Sequence, residues 1–109
     1  MTVLQASGYI NPVTVIALTI LEDDGNVKCH HVNMDYSSTY EFQVLNSVSG
    51  MLYTVRGVLK HSMVDPSNNN ANRGSIDYLI IDESKENESK LTRICIKDIR
   101  SINKIENFE

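Results

Sequence analysis

Residues 29 to 31 read Cys-His-His and hold one of the chain's two cysteines and two of its three histidines. Thiolate and imidazole are the usual ligands of zinc, and a Cys–His pair is also the core of a nucleophilic site. The spacing limits both chemistries. In a β-strand successive side chains point to opposite faces. Cys29 and His31 then share a face and His30 points away. Two of the three can reach one ion, whereas a zinc site takes three or four ligands, and no CxxC or HxxxH supplies the rest. His61 and Cys95 are the remaining candidates, each on a different expected strand. No orienting group or oxyanion donor can be named for a nucleophile. The expectation is a hairpin strand carrying a thiol and two imidazoles, with no metal, no cofactor and no catalytic residue.

The acidic pairs Asp23-Asp24 and Asp82-Glu83 fall at expected turns, where carboxylates are solvated and serve turn geometry. The chain has no Gly-rich phosphate loop, no GxSxG and no EF-hand spacing. Its charge is unevenly spread. Residues 1 to 50 carry Lys28 as their one base against Glu22, Asp23, Asp24, Asp35 and Glu41. Residues 90 to 104 carry Lys90, Arg93, Lys97, Arg100 and Lys104 against Asp98 alone. That strip is either the solvent face of a strand and turn or a contact surface for RNA, DNA or an acidic partner. Stacking aromatics are not interleaved in it, which weighs against single-stranded nucleic acid. The net charge of −4 points the same way, because phosphate-backbone binding relies on many basic contacts. A second candidate surface is the polar segment 64–74, with Asn68, Asn69, Asn70 and Arg73.

These groups need elements to position them. At 109 residues the length suits one domain, residues 1–109, with a modest core. The hydrophobic share of 41% and charged share of 22% are those of a globular protein. Val13 to Ile20 reads as a strand apolar on both faces, and Asp24-Gly25 as a type I′ hairpin turn, so Val27 to Met34 should run back beside it. Tyr40, Phe42 and Val44 alternate with Glu41 and Gln43, a half-buried strand. In the strand Leu52 to Met63, alternation puts Tyr53, Val55, Leu59 and Met63 on one face, and Gly57 signals a bulge or bend. Residues 64–74 read as a peripheral loop, 75–84 as one strand, 85–90 as a charged hairpin loop, and Leu91 to Lys97 as a strand with Thr92, Ile94 and Ile96 on one face. Ile99, Ile102 and Ile105 recur every three residues, the period of a 3₁₀ turn.

The run "YTVRGVLKHSM", a polar loop, "SIDYLIID", a charged loop and "TRICIKDIRSI" resembles the meander of small SH3-like and Sm-like β-barrels over residues 52 to about 105. In those folds a long bent strand carries a glycine, matched by Gly57. A strand ending in I-x-I-x-D-I, matched by Ile94, Ile96, Asp98 and Ile99, makes a 3₁₀ turn into the closing strand. The Asn and Arg signatures of nucleic-acid contact in Sm proteins are not evident, so no binding residue is carried over from them.

The expected fold is all-β, a small antiparallel barrel or sandwich of about six strands with a short 3₁₀ turn near the C-terminus. The expected function is a non-enzymatic assembly module, forming a homo-oligomer or part of a larger particle. Small Asn-rich β proteins are frequent in bacteriophage particles, so a virion component is the specific expectation. A barrel binding nucleic acid or a small ligand is the second reading. The N-terminus has no basic start before an apolar run, and "PVTVIALTILE" is about half the length of a membrane helix. A cytoplasmic or virion location, no secretion signal, no membrane partner and reduced cysteines are therefore expected.

Overall fold

A computed structural model describes residues 2–10, 13–64, 75–85 and 87–105. Its strands are β1 (Thr2–Ile10), β2 (Thr14–Leu21), β3 (Val27–Met34), β4 (Thr39–Leu45), β5 (Leu52–Met63), β6 (Ser75–Ile76), β7 (Tyr78–Asp82), β8 (Leu91–Cys95) and β9 (Ile99–Ile105). One 3₁₀ turn, Ile96–Asp98, joins β8 to β9, and no α-helix occurs among the described residues. The strands form two antiparallel sheets, in the orders β3-β2-β1-β6 and β8-β7-β5-β4-β9. The protein is all-β, as its alternating pattern implies, but with nine strands among the described residues rather than about six.

Three departures account for the difference. β1 has no clean alternation, because Gln5, Ala6, Ser7 and Gly8 are small or polar and a register shift between Val3 and Gln5 breaks the period of two. The segment 75–84 is not one strand. Ser75 and Ile76 pair with Tyr9 and Gly8 of β1, whereas Tyr78 to Asp82 pair with β5 and β8. Ile99 to Ile105 is a strand along β4, not a helical turn. Its register skips from Val44↔Ile99 to Gln43↔Ser101. One extra residue at Arg100 converts a spacing of two into three, so Ile99 and Ile102 both reach the core cluster.

The core lies between the two sheets. Ile16, Leu18 and Ile20 of β2 meet Tyr40, Phe42 and Val44 of β4, Val55 and Leu59 of β5, and Leu79 and Ile81 of β7. Burying each such aliphatic or aromatic side chain contributes about 1.5–3 kcal/mol. Among the described residues Thr14 is the one polar residue fully in this layer, at 1% exposure, and its hydroxyl bonds Ser62 Oγ at 2.9 Å and Tyr36 Oη at 3.1 Å. Ser62 faces inward because β5 carries an extra residue between Leu59 and His61 where it pairs with β7. That bulge reverses the parity expected for the strand's end and leaves Met63 turned out at 41% exposure.

The β2–β3 hairpin forms where Asp24-Gly25 predicts it, with a different turn. Only Gly25, at φ 85°, has positive φ here, and no non-glycine residue among those described does. A type I′ turn needs two such residues. Instead Gly25 N–H donates to Glu22 O at 3.0 Å and Glu22 N–H to Asn26 O at 2.8 Å, a three-residue loop closed by a glycine bulge. Asp24 Oδ1 accepts the Asn26 amide at 2.9 Å. The extra residue moves the register by one and sets Val32 opposite Ile16 and Met34 opposite Thr14. The two-residue turn would have set Asn33 opposite Ile16, facing the core.

Gly57 is not the site of the bulge, since pairing with β4 runs unbroken through Arg56, Gly57 and Val58. A Cβ there would overlap the Asp82 carbonyl oxygen and come within 2.8 Å of Ile81 Cγ2. The glycine permits the close approach of β5 to β7. Gly57→Val is expected to lower stability by about 1–3 kcal/mol, read as a fall in denaturation midpoint at unchanged slope. An unchanged midpoint would mean that the two strands can part at no cost.

Asp35 holds the turn from β3 to β4. Its Oδ1 accepts the amides of Ser38 at 2.7 Å and Ser37 at 3.0 Å, its Oδ2 accepts the Ser38 hydroxyl at 2.9 Å, and Lys104 Nζ lies 3.9 Å away. The Ser38 and Ser37 amides above all lower its pKa below the ordinary carboxylate value. The unfolded chain then takes up this proton at higher pH than the folded one. The resulting stabilisation is whole above the ordinary Asp pKa, about 3.9, and is lost as pH falls through the lowered folded value. The difference in melting temperature between wild type and Asp35→Asn should be largest near neutrality and narrow below about pH 4.

Candidate functional site

Among the described residues β3 is the outermost strand of its sheet, with no strand paired to its outer edge, and it is exposed from Val27 to His31. Cys29 and His31 lie on its outer face, with Sγ and Nε2 3.9 Å apart. His30 projects from the other face, where its Nε2 lies 3.3 Å from Glu22 Oε1. The expected strand parity thus holds. His61 and Cys95 belong to the five-stranded sheet, on β5 and β8. Among the described residues no group of three or more His, Cys, Asp or Glu is placed to hold a metal.

The backbone at this edge follows from the hairpin. Glu22 and Asn26 form a hydrogen-bonded pair, and bonded and non-bonded pairs alternate along an antiparallel ladder. Counting along the register, Lys28, His30 and Val32 direct their amides and carbonyls to β2, whereas Cys29 and His31 direct theirs to the open edge.

The outer face that carries Cys29 and His31 is uncharged. The register gives it Thr2, Gln5, Ser7 and Tyr9 on β1, Val15, Ala17, Thr19 and Leu21 on β2, and Val27, Cys29, His31 and Asn33 on β3. None is Lys, Arg, Asp or Glu. The outer face of the five-stranded sheet is different. Glu41 and Arg56 sit directly opposite each other and pair at 2.5 Å, and Arg93 stacks over the Tyr78 ring at 4.1 Å. No local sequence pattern carries this contrast, because it depends on the register between β1 and β2.

The basic residues 90–104 do not form one strip on one element. Lys90 precedes β8 and Arg93 lies on it, at one edge of the five-stranded sheet, whereas Arg100 and Lys104 lie on β9 at the other edge, with Lys97 in the turn between. Lys90 pairs with Glu83 at 3.4 Å and Lys104 with Asp35 at 3.9 Å. Arg100 donates to the carbonyls of Lys97 and Ile99 at 2.8 and 3.3 Å. Asn68, Asn69, Asn70 and Arg73, with the rest of residues 65–74, lie outside the described residues.

Glu83 is a structural carboxylate. Its Oε2 accepts the Thr92 hydroxyl in a short bond, and its Oε1 accepts the Arg56 amide at 3.3 Å. Partial burial raises its pKa, but the Thr92, Arg56 and Lys90 contacts outweigh that and leave it below the ordinary value. Its two oxygens thereby link β5 to β8. Glu83→Gln should lower stability by about 1 kcal/mol through the lost charge-assisted bonds, measurable as a lowered thermal midpoint.

No protein-family model, curated protein or solved structure matches the chain. Among the described residues no helix is long and apolar enough to cross a membrane.

Proposed function

We propose that the protein is a non-enzymatic assembly module that associates with copies of itself through the four-stranded sheet. The observation that carries this reading is the uncharged outer face of β1, β2 and β3, bordered by the open β3 edge. Charged residues are depleted in the cores of protein interfaces, and unpaired strand edges are templates for further pairing. The five-stranded sheet, by contrast, carries charges, with Glu41 paired to Arg56 and Glu83 to Lys90. An SH3-like reading of residues 52–105 is supported by strand order. β4, β5, β7 and β8 follow one another as a meander, and the 3₁₀ turn returns β9 to lie beside β4. A component of a bacteriophage particle is the setting in which such a module fits, given its small size and asparagine content. Nucleic-acid binding is the weaker reading, because four of the five basic residues from Lys90 to Lys104 already have partners within the chain.

Light scattering combined with ultraviolet absorbance tests this reading. A mass above one chain, without nucleic acid, is expected for the wild type. Thr19→Lys, which puts a charge on the central strand of the uncharged face, should reduce that mass without loss of β structure. A wild type that stays monomeric at high concentration would overturn the reading, and co-purifying nucleic acid would favour the alternative.

A further inference from the structure

Cys29 and His31 stand at a separation that two ligands of one metal ion would have. A tetrahedral zinc with bonds of about 2.3 Å to sulfur and 2.0 Å to nitrogen places those two ligand atoms about 3.5 Å apart. Sγ of Cys29 and Nε2 of His31 already stand at 3.9 Å, both exposed on one face. The chain offers them no third ligand among the described residues. What the edge offers instead is a second copy of itself.

The open edge also sets how that copy would pair. Along β3 the accessible run is Val27 to Asn33, closed by buried Met34. Antiparallel self-pairing that uses this whole run has its twofold axis at His30. That register sets Cys29 opposite the partner's His31 and His31 opposite the partner's Cys29. The backbone groups that would bond across the axis are those of Cys29 and His31, which face the edge. In a bonded pair of this kind the two Cα atoms lie about 5.5 Å apart. Lys28 meets the partner's Val32, so no lysine opposes another. The two His30 rings meet on the opposite face, each beside its own chain's Glu22.

We infer that two copies join their β3 strands antiparallel and that Cys29 and His31 from each close a Cys₂His₂ site for zinc or a similar divalent cation. This rests on the self-association reading above and names the contact. Each thiol releases its proton to solvent on binding, so two thiolates balance the dication and both imidazoles bind neutral. The pairing also joins the uncharged faces of the two sheets into one.

Chelator-stripped full-length protein titrated with zinc should double in mass, with one metal per two chains. Cobalt(II) in place of zinc should give the visible spectrum of a tetrahedral site with thiolate charge transfer. Cys29→Ser and His31→Ala should lose both the metal and the metal-dependent doubling while keeping the wild-type circular dichroism. His30→Ala should keep both. One metal per chain, or metal binding and doubling unchanged in His31→Ala, would overturn the inference. A mass that exceeds one chain equally with and without chelator would overturn the metal bridge and leave self-association standing. A single-chain mass with and without zinc would overturn both.

Discussion

The backbone at Asp77 holds one of the points where the chain passes from one sheet to the other. Its amide donates to Met63 O at 2.8 Å, and its carbonyl accepts the Ile96 amide at 2.9 Å. One residue thereby ties the end of β5 to the 3₁₀ turn at the point where the chain leaves β6 in one sheet and enters β7 in the other. A buried amide or carbonyl without a partner is costly, so a crossing of this kind is tolerated only where both groups are satisfied. With the crossing satisfied, Ile76 reaches the core from the four-stranded sheet and Leu79 reaches it from the five-stranded one. The shared apolar layer depends on that change of sheet.

The parts of the fold legible in the sequence are those where a period of two runs without interruption. β4 shows Tyr40, Phe42 and Val44 buried in strict alternation, and β2 buries Thr14, Ile16, Leu18 and Ile20 on one face with Ala17 also buried on the other. The illegible parts are those where one extra residue breaks the period. Lys60 hides the inward turn of Ser62, Arg100 gives a strand the spacing of a helical turn, and Leu4 removes the alternation of β1. Asp24-Gly25 announces a hairpin, but its loop length follows from which residues of β3 must face inward. Val32 and Met34 have apolar side chains to bury and Asn33 does not. Tertiary packing settled the turn, and local preference allowed it.

The same distinction applies to the candidate site. That Cys29 and His31 share a face needs only strand parity. That their face is free of charge needs the registers of β1 on β2 and of β2 on β3, which no local pattern carries. Conversely, the charge excess of residues 90 to 104 is plain in the sequence, yet most of those side chains are answered locally, by Glu83, by Asp35, by the Tyr78 ring or by main-chain carbonyls. Linear charge density describes a surface poorly when the chain folds back on itself, because the compensating groups come from distant positions.

The glycine bulge between β2 and β3 holds one residue more than a two-residue hairpin needs. Loss of a single codon between Glu22 and Asn26 would leave two residues between the same flanking pair, so Val32 would keep its place opposite Ile16 and Cys29 and His31 theirs on the outer face. Loss of Lys28, within the strand, would instead slide the rest of β3 by one position and turn Cys29 and His31 toward the interior layer. Among variants of this chain, in-frame deletions in the strand rather than in its loop are therefore the changes to which the identity of the exposed face is most vulnerable.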